Sequence, residues 1–157
     1  MELGDILTTE TILPEMRATN RWEAIDELLA LLVSAGRLKA ADQPAVALVV
    51  KKRENSMSTG IGFGIGIPHA STDLIGEVTG ALGRSKGGVN FESLDGQPVH
   101  LVMLFLVPQG QFQKHLHTLA TIAKRLHHAE FRHALEGASD AEAMLRIIKT
   151  QAAEVRK

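Results

Sequence analysis

Residues 58–69 read STGIGFGIGIPH and separate a helical N-terminal third of the chain from the strands that follow. Glycine alternates with apolar residues as far as Gly66, and each glycine costs a helix interior about 1 kcal/mol relative to alanine. The pattern therefore predicts a loop that enters a strand. Pro68 restricts the backbone just before His69, so we expect an exposed histidine that is held in one direction.

The spacing of these glycines fits neither of the two common nucleotide-binding loops. A dinucleotide-binding loop has glycine at its first, third and sixth positions, but the sixth residue counted from Gly60 is Ile65, and later starting points fail in the same way. A P-loop needs Gly-Lys followed by Ser or Thr, which is absent from the sequence. Taken alone, the glycines favour close backbone packing in a bent strand.

Two helical patterns precede the glycine segment. Apolar residues recur at helical spacing over residues 21–35, where Asn20 and Glu23 have the spacing of a capping box and Gly36 supplies a stop. A second helix is predicted over residues 42–54, with a proline in its first turn and the charged end KKRE. The chain thus reaches the glycine segment from the end of a helix.

Strands and further helices follow the glycine segment. Residues 78–85 and 99–107 are predicted strands, and the second is nearly continuous in apolar residues, which is typical of a strand covered on both faces. Apolar stripes predict a helix over residues 116–126 and a last helix whose capping box is Ser139 with Glu142. Helices on both sides of the strands predict an α/β fold, a three-layer sandwich with a central mixed sheet flanked by helices.

Length and composition limit the possible classes of protein. The 157 residues, 45% of them hydrophobic, fit one domain over residues 1–157. The formal net charge of -1 disfavours nucleic-acid binding, and no apolar run approaches the stretch of about 20 residues that insertion into a membrane requires. The first residues lack the basic start of a signal peptide, which predicts a cytoplasmic protein. Without cysteine, covalent chemistry must use another side chain, and the sequence indicates no cofactor.

His69 is the first candidate for such chemistry. Imidazole is a nucleophile near neutral pH that needs no separate base, and the phosphoramidate it forms is labile enough to pass the phosphoryl group onward. A histidine in a surface loop is commonly no more than a polar residue, so this interpretation depends on companions.

Two companions can be read from the sequence. His115 lies where the helix over residues 116–126 is expected to begin, and free amides with the positive end of the helix dipole favour phosphate there. Arg53 ends the second helix, and its planar guanidinium can bind phosphoryl oxygens, although a charge in this place is commonly just solvated. His115 and His117 are two residues apart and point away from each other on a helix, which argues against a metal site.

Two groups of motifs stand apart in the chain. The first comprises RE at residues 53–54, STGIG at residues 58–62 and GIGIPH at residues 64–69. The second comprises HLHTL at residues 115–119 and AKRL at residues 123–126. Together they resemble the signatures of enzyme IIA domains of the fructose-mannitol type in the bacterial phosphotransferase system, closest to the nitrogen-regulatory branch. The resemblance covers almost the whole chain.

This resemblance implies an α/β sandwich with a mixed sheet and a phosphotransferase-type carrier with a phosphohistidine intermediate. It implies that His69 accepts the phosphoryl group and that His115 and Arg53 lie around it. It also implies a donor protein, HPr or its nitrogen-branch counterpart, which receives phosphate from phosphoenolpyruvate through enzyme I. Transfer of this kind needs no metal. Gly66 stands where alanine is more usual, and Ser71 where members often carry lysine or arginine.

Three functions are compatible with the sequence: a regulatory phosphocarrier that acts on protein targets, a sugar-transport enzyme IIA that serves a separate fructose- or mannitol-type permease, and a binding module that is not phosphorylated. The regulatory carrier is favoured, because the chain holds no sugar-specific domain or membrane segment and its second motif is closest to the nitrogen-regulatory branch. We expect Ile61, Phe63 and Ile65 to give a partner protein an apolar contact surface with a polar rim around His69.

Overall fold

The computed structural model describes residues 2–155, so residues 1, 156 and 157 of the predicted domain lie outside the described part. The described helices are α1 (Leu3–Ile6), α2 (Arg21–Ser34), α3 (Gln43–Ser56), α4 (Phe112–Leu126), α5 (Ala129–Gly137) and α6 (Ala141–Val155). The described strands are β1 (Ile12–Leu13), β2 (Gly60–Gly62), β3 (Ile65–Gly66), β4 (His69–Thr72), β5 (Thr79–Val89) and β6 (Val99–Pro108). Short 3-10 turns span Thr9–Thr11 and Ala40–Asp42.

Strand β6 lies at the centre of a mixed sheet with the order β1-β5-β6-β3-β2, and β4 also pairs with β6. Strand β5 is antiparallel to β6, whereas β3 and β4 are both parallel to it. Ile65 pairs with Leu101 and His69 with Phe105, four residues further along each strand, so β3 and β4 share one register. Pro68, which has no N–H to donate, therefore interrupts one extended segment without shifting it.

Alternate side chains of β6 face two hydrophobic cores. The even-numbered residues from Val102 to Leu106 pack with α2 and α3, and the odd-numbered residues from Leu101 to Val107 pack with α1, α4, α5 and α6. This arrangement confirms the predicted α/β three-layer sandwich and the prediction that the second long strand is covered on both faces. Within residues 2–155, none of the helices combines the length and apolar character needed to cross a membrane.

The predicted ends of the first long helix are confirmed, whereas the predicted cap of the last helix is wrong. The Asn20 side chain accepts a backbone N–H of the first turn of α2 at 2.9 Å, and Gly36 follows the helix with a φ of 74°. In the last helix, Asp140 rather than Ser139 is the cap, because its Oδ1 accepts the N–H of Ala143 at 2.8 Å. The sequence pattern thus located α6 but misplaced its start by one residue.

Several features differ from the predictions, and the short strand β1 is one of them. The glycine segment, predicted to be a loop that enters a strand, forms the short strands β2 and β3 before the start of β4, and β2 turns into β3 at Phe63, whose φ is 58°. Helices α1 and α5 were not predicted. Helix α5 buries Phe131 and Leu135 alone, which is too few apolar residues to give a helical pattern in the sequence.

Phe91 gives the physical reason for glycine at position 66. A Cβ on Gly66 would lie 2.8 Å from Cε2 of Phe91, and the Phe91 ring is fully buried, so it has little room to move. Interiors are close-packed, and adding even one methyl group to a filled site forces neighbouring atoms to shift. The aromatic ring thus fills the space that an alanine would need.

Gly66→Ala should lower the free energy of unfolding by about 1–3 kcal/mol, because the new methyl group overpacks the site against Phe91. Urea denaturation measures the change. Gly76→Ala is the matched control, since a Cβ there meets no atom within 4 Å, and it should stay within about 0.5 kcal/mol of wild type. Unchanged stability in Gly66→Ala would contradict this explanation.

Candidate functional site

His69 is half-buried, which corrects the prediction of an exposed histidine. It is the first residue of β4 and pairs in register with Phe105, so its side chain lies on the face of the sheet that α4 covers. Its ring centroid is 6.1 Å from that of Phe112, and the two rings are nearly parallel at 15°. Because Phe112 is the first residue of α4, the positive end of that helix dipole lies beside the histidine.

A backbone carbonyl determines which nitrogen of His69 can react. Nδ1 lies 2.8 Å from the carbonyl oxygen of Ile67. A carbonyl oxygen can only accept a hydrogen bond, so Nδ1 carries the proton and donates it. In the neutral ring Nε2 then holds the free electron pair. Nε2 is therefore the nucleophilic atom of this side chain.

The surroundings keep the His69 ring neutral. Burial lowers the pKa of His69 below its ordinary value of 6.5; the hydrogen bond to Ile67 raises the pKa, and the positive charge of Arg53 lowers it. The ring is thus uncharged and nucleophilic at neutral pH. Because the unfolded chain binds this proton more readily, the free energy of unfolding falls as the pH drops below 6.5 through the pKa of the folded protein.

His69 borders an apolar groove of about 370 Å³. One wall consists of residues 57–61, which follow α3, and the other is one face of α4. The α4 residues of this wall are Leu116, Leu119, Ala120 and Ala123. Leu94 lies at the rim with 88% of its surface exposed. An open, apolar groove beside a reactive group is typical of a surface that meets another molecule.

Arg53 lies in the same groove as His69, so the structure brings these two predicted site residues together. It is in the last turn of α3, and its Nη1 donates a hydrogen bond to the carbonyl oxygen of Met57 at 3.1 Å. That bond uses one of the five N–H donors of a guanidinium. Arg53 is therefore held at the edge of the groove with a positive charge near the His69 ring.

His115 is the fourth residue of α4, because the helix begins at Phe112 rather than at His115, where its start was predicted. The residues that line the groove do not include it. Its own N–H bonds to the carbonyl oxygen of Gln111 at 3.1 Å, so the amides of this helix end that can bind an anion precede it. Within residues 2–155, no three histidine, aspartate or glutamate side chains are grouped so as to hold a metal ion.

The predicted partner contacts divide into two kinds. Ile61 lines the groove, and Phe63 is 65% exposed at the turn between β2 and β3. Ile65 is wrong as a contact residue, because it lies within the sheet in β3, pairs with Leu101 and is fully buried in the core. Their positions in the sheet explain the difference, because Ile61 belongs to β2 at the end of the strand order, whereas Ile65 belongs to β3, which lies between β2 and β6.

Two residues that shape the site were not predicted from the sequence. Phe112 stacks on His69, but nothing in the sequence of α4 indicates which strand residue its first turn meets. Glu54 is fully buried, although a charge at the end of a helix ordinarily faces solvent. Its place directly after Arg53 in the first motif was the one available signal.

The chain belongs to the family "Phosphoenolpyruvate-dependent sugar phosphotransferase system, EIIA 2", whose model matches residues 5–151. It is 34% identical over 148 residues to a nitrogen regulatory protein of Bradyrhizobium diazoefficiens, covering 94% of this chain and 95% of that protein. It is 38% identical over 138 residues to the fructose-specific EIIA component of Haloferax volcanii, covering 86% of this chain and 88% of that protein. The family expected from the two motif groups is thus confirmed.

A larger relative contains the same unit. The fructose-specific EIIABC component of Bacillus subtilis is 38% identical over 148 residues, which are 94% of this chain and 23% of that protein. Among solved structures, the nitrogen regulatory protein IIA-Ntr of Neisseria meningitidis superposes with a TM-score of 0.83 at 30% identity, covering 93% of this chain and 98% of that one. The mannitol IIA of Escherichia coli superposes with a TM-score of 0.76 at 19% identity, covering 90% and 98%, and shares the fold.

Arg53→Ala should raise the pKa of His69, because it removes a nearby positive charge that disfavours the imidazolium form. An NMR titration of the His69 ring measures the midpoint. Lys52→Ala is the matched control, since it removes an equal charge from the exposed neighbouring residue. An unchanged midpoint in Arg53→Ala, or an equal rise in Lys52→Ala, would show that Arg53 does not act on the ring.

Proposed function

We propose that this chain is a histidine phosphocarrier of the phosphoenolpyruvate-dependent phosphotransferase system, in which Nε2 of His69 accepts the phosphoryl group from an HPr-like carrier. The observation that carries the proposal is the hydrogen bond from Nδ1 to Ile67, because it leaves Nε2 as the nucleophile beside an apolar groove. Family membership supports the class of chemistry. The proposal includes one enzyme IIA domain over residues 1–157 that acts in the cytoplasm.

The proposed step is a direct exchange between two histidine rings. The electron pair of Nε2 attacks the phosphorus of the phosphohistidine on the donor, an N–P bond forms, and the P–N bond of the donor breaks with its electron pair returning to the donor ring. No proton leaves His69, because Nδ1 keeps the proton that it donates to Ile67. The ring gains positive charge as the bond forms, and a hydrogen bond from a charged donor is stronger than one from a neutral donor. The Ile67 carbonyl therefore favours the phosphorylated state.

Arg53, His115 and the start of α4 are proposed to stabilise the charge on the phosphoryl oxygens. Arg53 lies in the groove with His69, and the Phe112 contact places the positive end of α4 beside the ring. His115 belongs to that same helical turn and adds a ring donor. Phosphoryl transfer depends mainly on alignment and on such charge stabilisation, so these groups suffice without a base.

A regulatory role is the favoured purpose of the phosphate. A protein that docks on the groove meets Ile61, Leu94 and the apolar face of α4. A phosphoryl group on His69 places about -1.5 to -2 charges at the edge of that surface, which changes docking without a change of fold. The 34% identity to a nitrogen regulatory protein over 95% of its length supports protein targets of this kind.

A sugar-transport role is the second candidate, and the 38% identity to a fructose-specific EIIA component favours it. The two candidates differ in what happens after phosphorylation. A transport protein passes the phosphoryl group to a fructose- or mannitol-type permease component, whereas a regulator changes its affinity for a target. Incubation of the phosphorylated protein with such a permease component distinguishes them.

Incubation with phosphoenolpyruvate, enzyme I and an HPr-like carrier should add one phosphoryl group to the wild-type chain, and His69→Ala should remain unmodified because it lacks the nucleophile. Intact mass spectrometry measures the addition. His133→Ala, which removes an exposed histidine of α5, is the matched control and should be labelled like wild type. A labelled His69→Ala would assign the phosphate to another residue.

Arg53→Ala and His115→Ala should each slow the transfer by about 10²-fold, since each removes one donor that stabilises developing charge. Single-turnover rapid-quench experiments with the phosphorylated carrier measure the rate. Lys52→Ala and His117→Ala are the controls, because they remove similar groups from exposed neighbouring positions. Wild-type rates in both test variants would remove Arg53 and His115 from the mechanism.

A further inference from the structure

Glu54 is a fully buried carboxylate in the last turn of α3. One of its oxygens accepts the N–H of Thr59 at 2.9 Å, and the other accepts the hydroxyl of Thr59 at 2.7 Å. Burial of a carboxylate costs several kcal/mol unless the group is both paired with a cation and hydrogen-bonded. The two bonds to Thr59 provide the hydrogen bonds that this buried carboxylate needs, and they fix the chain just beyond α3.

Arg21 supplies the opposite charge. Its Nη1 lies 3.6 Å from Oε1 of Glu54, and its Nη2 lies 2.7 Å from Oε2 of Glu92. Arg21 is the first residue of α2, and Glu92 precedes the groove residue Leu94 by two positions. One guanidinium therefore links the start of α2, the end of α3 and the loop that carries the rim of the groove.

The segment that Glu54 fixes is the α3 wall of the groove. Arg53 and residues 57–61 line the groove, whereas Glu54 lies behind them and does not. The hydroxyl of Ser58 donates to the carbonyl oxygen of Phe91 at 2.6 Å, which ties the same segment to the chain that follows β5. Arg53 adjoins Glu54 and donates to the carbonyl oxygen of Met57, so the bonds of Glu54 to Thr59 constrain the same segment that Arg53 contacts.

We propose that Glu54, paired with Arg21, is a positioning residue for phosphoryl transfer, because its bonds to Thr59 hold Arg53 and the groove wall in the geometry that His69 requires. The inference rests on the proposed function of His69. Glu54 acts through its neighbours and does not contact the phosphoryl group. A misplacement of about 1 Å in such a site can cost about 10²-fold in rate. Glu54, Arg21 and Thr59, which we call the clamp, can therefore have a large effect on transfer although they do not contact the phosphoryl group.

Three conservative substitutions separate the parts of the clamp. Glu54→Gln keeps the shape of the side chain and removes the charge that pairs with Arg21. Thr59→Val keeps the shape of the other side chain and removes its hydroxyl, while the pair between Glu54 and Arg21 stays. Thr59→Ser retains the hydroxyl, so it should rescue whatever Thr59→Val loses.

The test measures single-turnover phosphorylation of each variant at several concentrations of a phosphorylated HPr-like carrier. We expect the maximal rate to fall at least about 10-fold in Glu54→Gln and Thr59→Val, while the half-saturating carrier concentration changes less than about threefold. Thr59→Ser should transfer at close to the wild-type rate. Asp26→Asn is the matched control, because Asp26 pairs with Lys51 at 2.8 Å and links the same two helices at an exposed place.

The maximal rates of these variants test the positioning role of Glu54. Wild-type maximal rates in Glu54→Gln and Thr59→Val, or an equal loss in Asp26→Asn, would overturn the positioning role. If Glu54→Gln fails to fold, Thr59→Val and its serine rescue decide it alone. Failure of the wild-type chain to be labelled on His69 would overturn the proposed function itself, and that result is distinct from a labelled wild type with unimpaired clamp variants.

Discussion

The parallel pairing of residues 65–72 with β6 is the constraint on which the rest of the site depends. Since β3 and β4 keep one register across Pro68, His69 is held opposite Phe105 on the face that α4 covers. Strand β6 ends at Pro108, and α4 begins four residues later, so the start of that helix is carried back over β4. The histidine, the helix dipole and the apolar groove meet because one buried strand organises all three.

In the proposed mechanism, the charge of Arg53 acts on His69 both before and after phosphoryl transfer. Before transfer, it helps to keep the pKa of His69 below 6.5, so the ring is neutral and its electron pair is available. After transfer, the same charge attracts the phosphoryl oxygens that the proposal places on Nε2. The Ile67 carbonyl also acts in both states. Its bond to Nδ1 selects the reactive nitrogen before transfer and strengthens when the ring becomes positive. Under the proposal, these two groups favour both acceptance and retention of phosphate without any movement.

Patterns that depend on local sequence predicted most of the fold. The caps of α2, the long apolar strand β6 and the three layers follow from periodicity and capping, because burial on both faces of β6 leaves a direct mark on its composition. The short strands β2 and β3 could not be predicted in this way. Alternating glycines are typical of a loop, and the strands form because β3 pairs with β6 and β2 pairs with β3. The motifs placed Arg53 and His69 together correctly. The burial of Glu54 could not be predicted, because it depends on contact with Arg21, which is 33 residues away in the sequence.

The position of the phosphate on the imidazole ring tests the central claim most directly. The hydrogen bond from Nδ1 of His69 to Ile67 leaves Nε2 as the sole nitrogen of that ring with a free electron pair. NMR of the phosphorylated protein with ¹⁵N-labelled histidine reports which ring nitrogen is bonded to phosphorus, through its coupling to ³¹P. The account predicts a phosphorus bond to Nε2 of His69. A bond to Nδ1, or to any other residue, would contradict it.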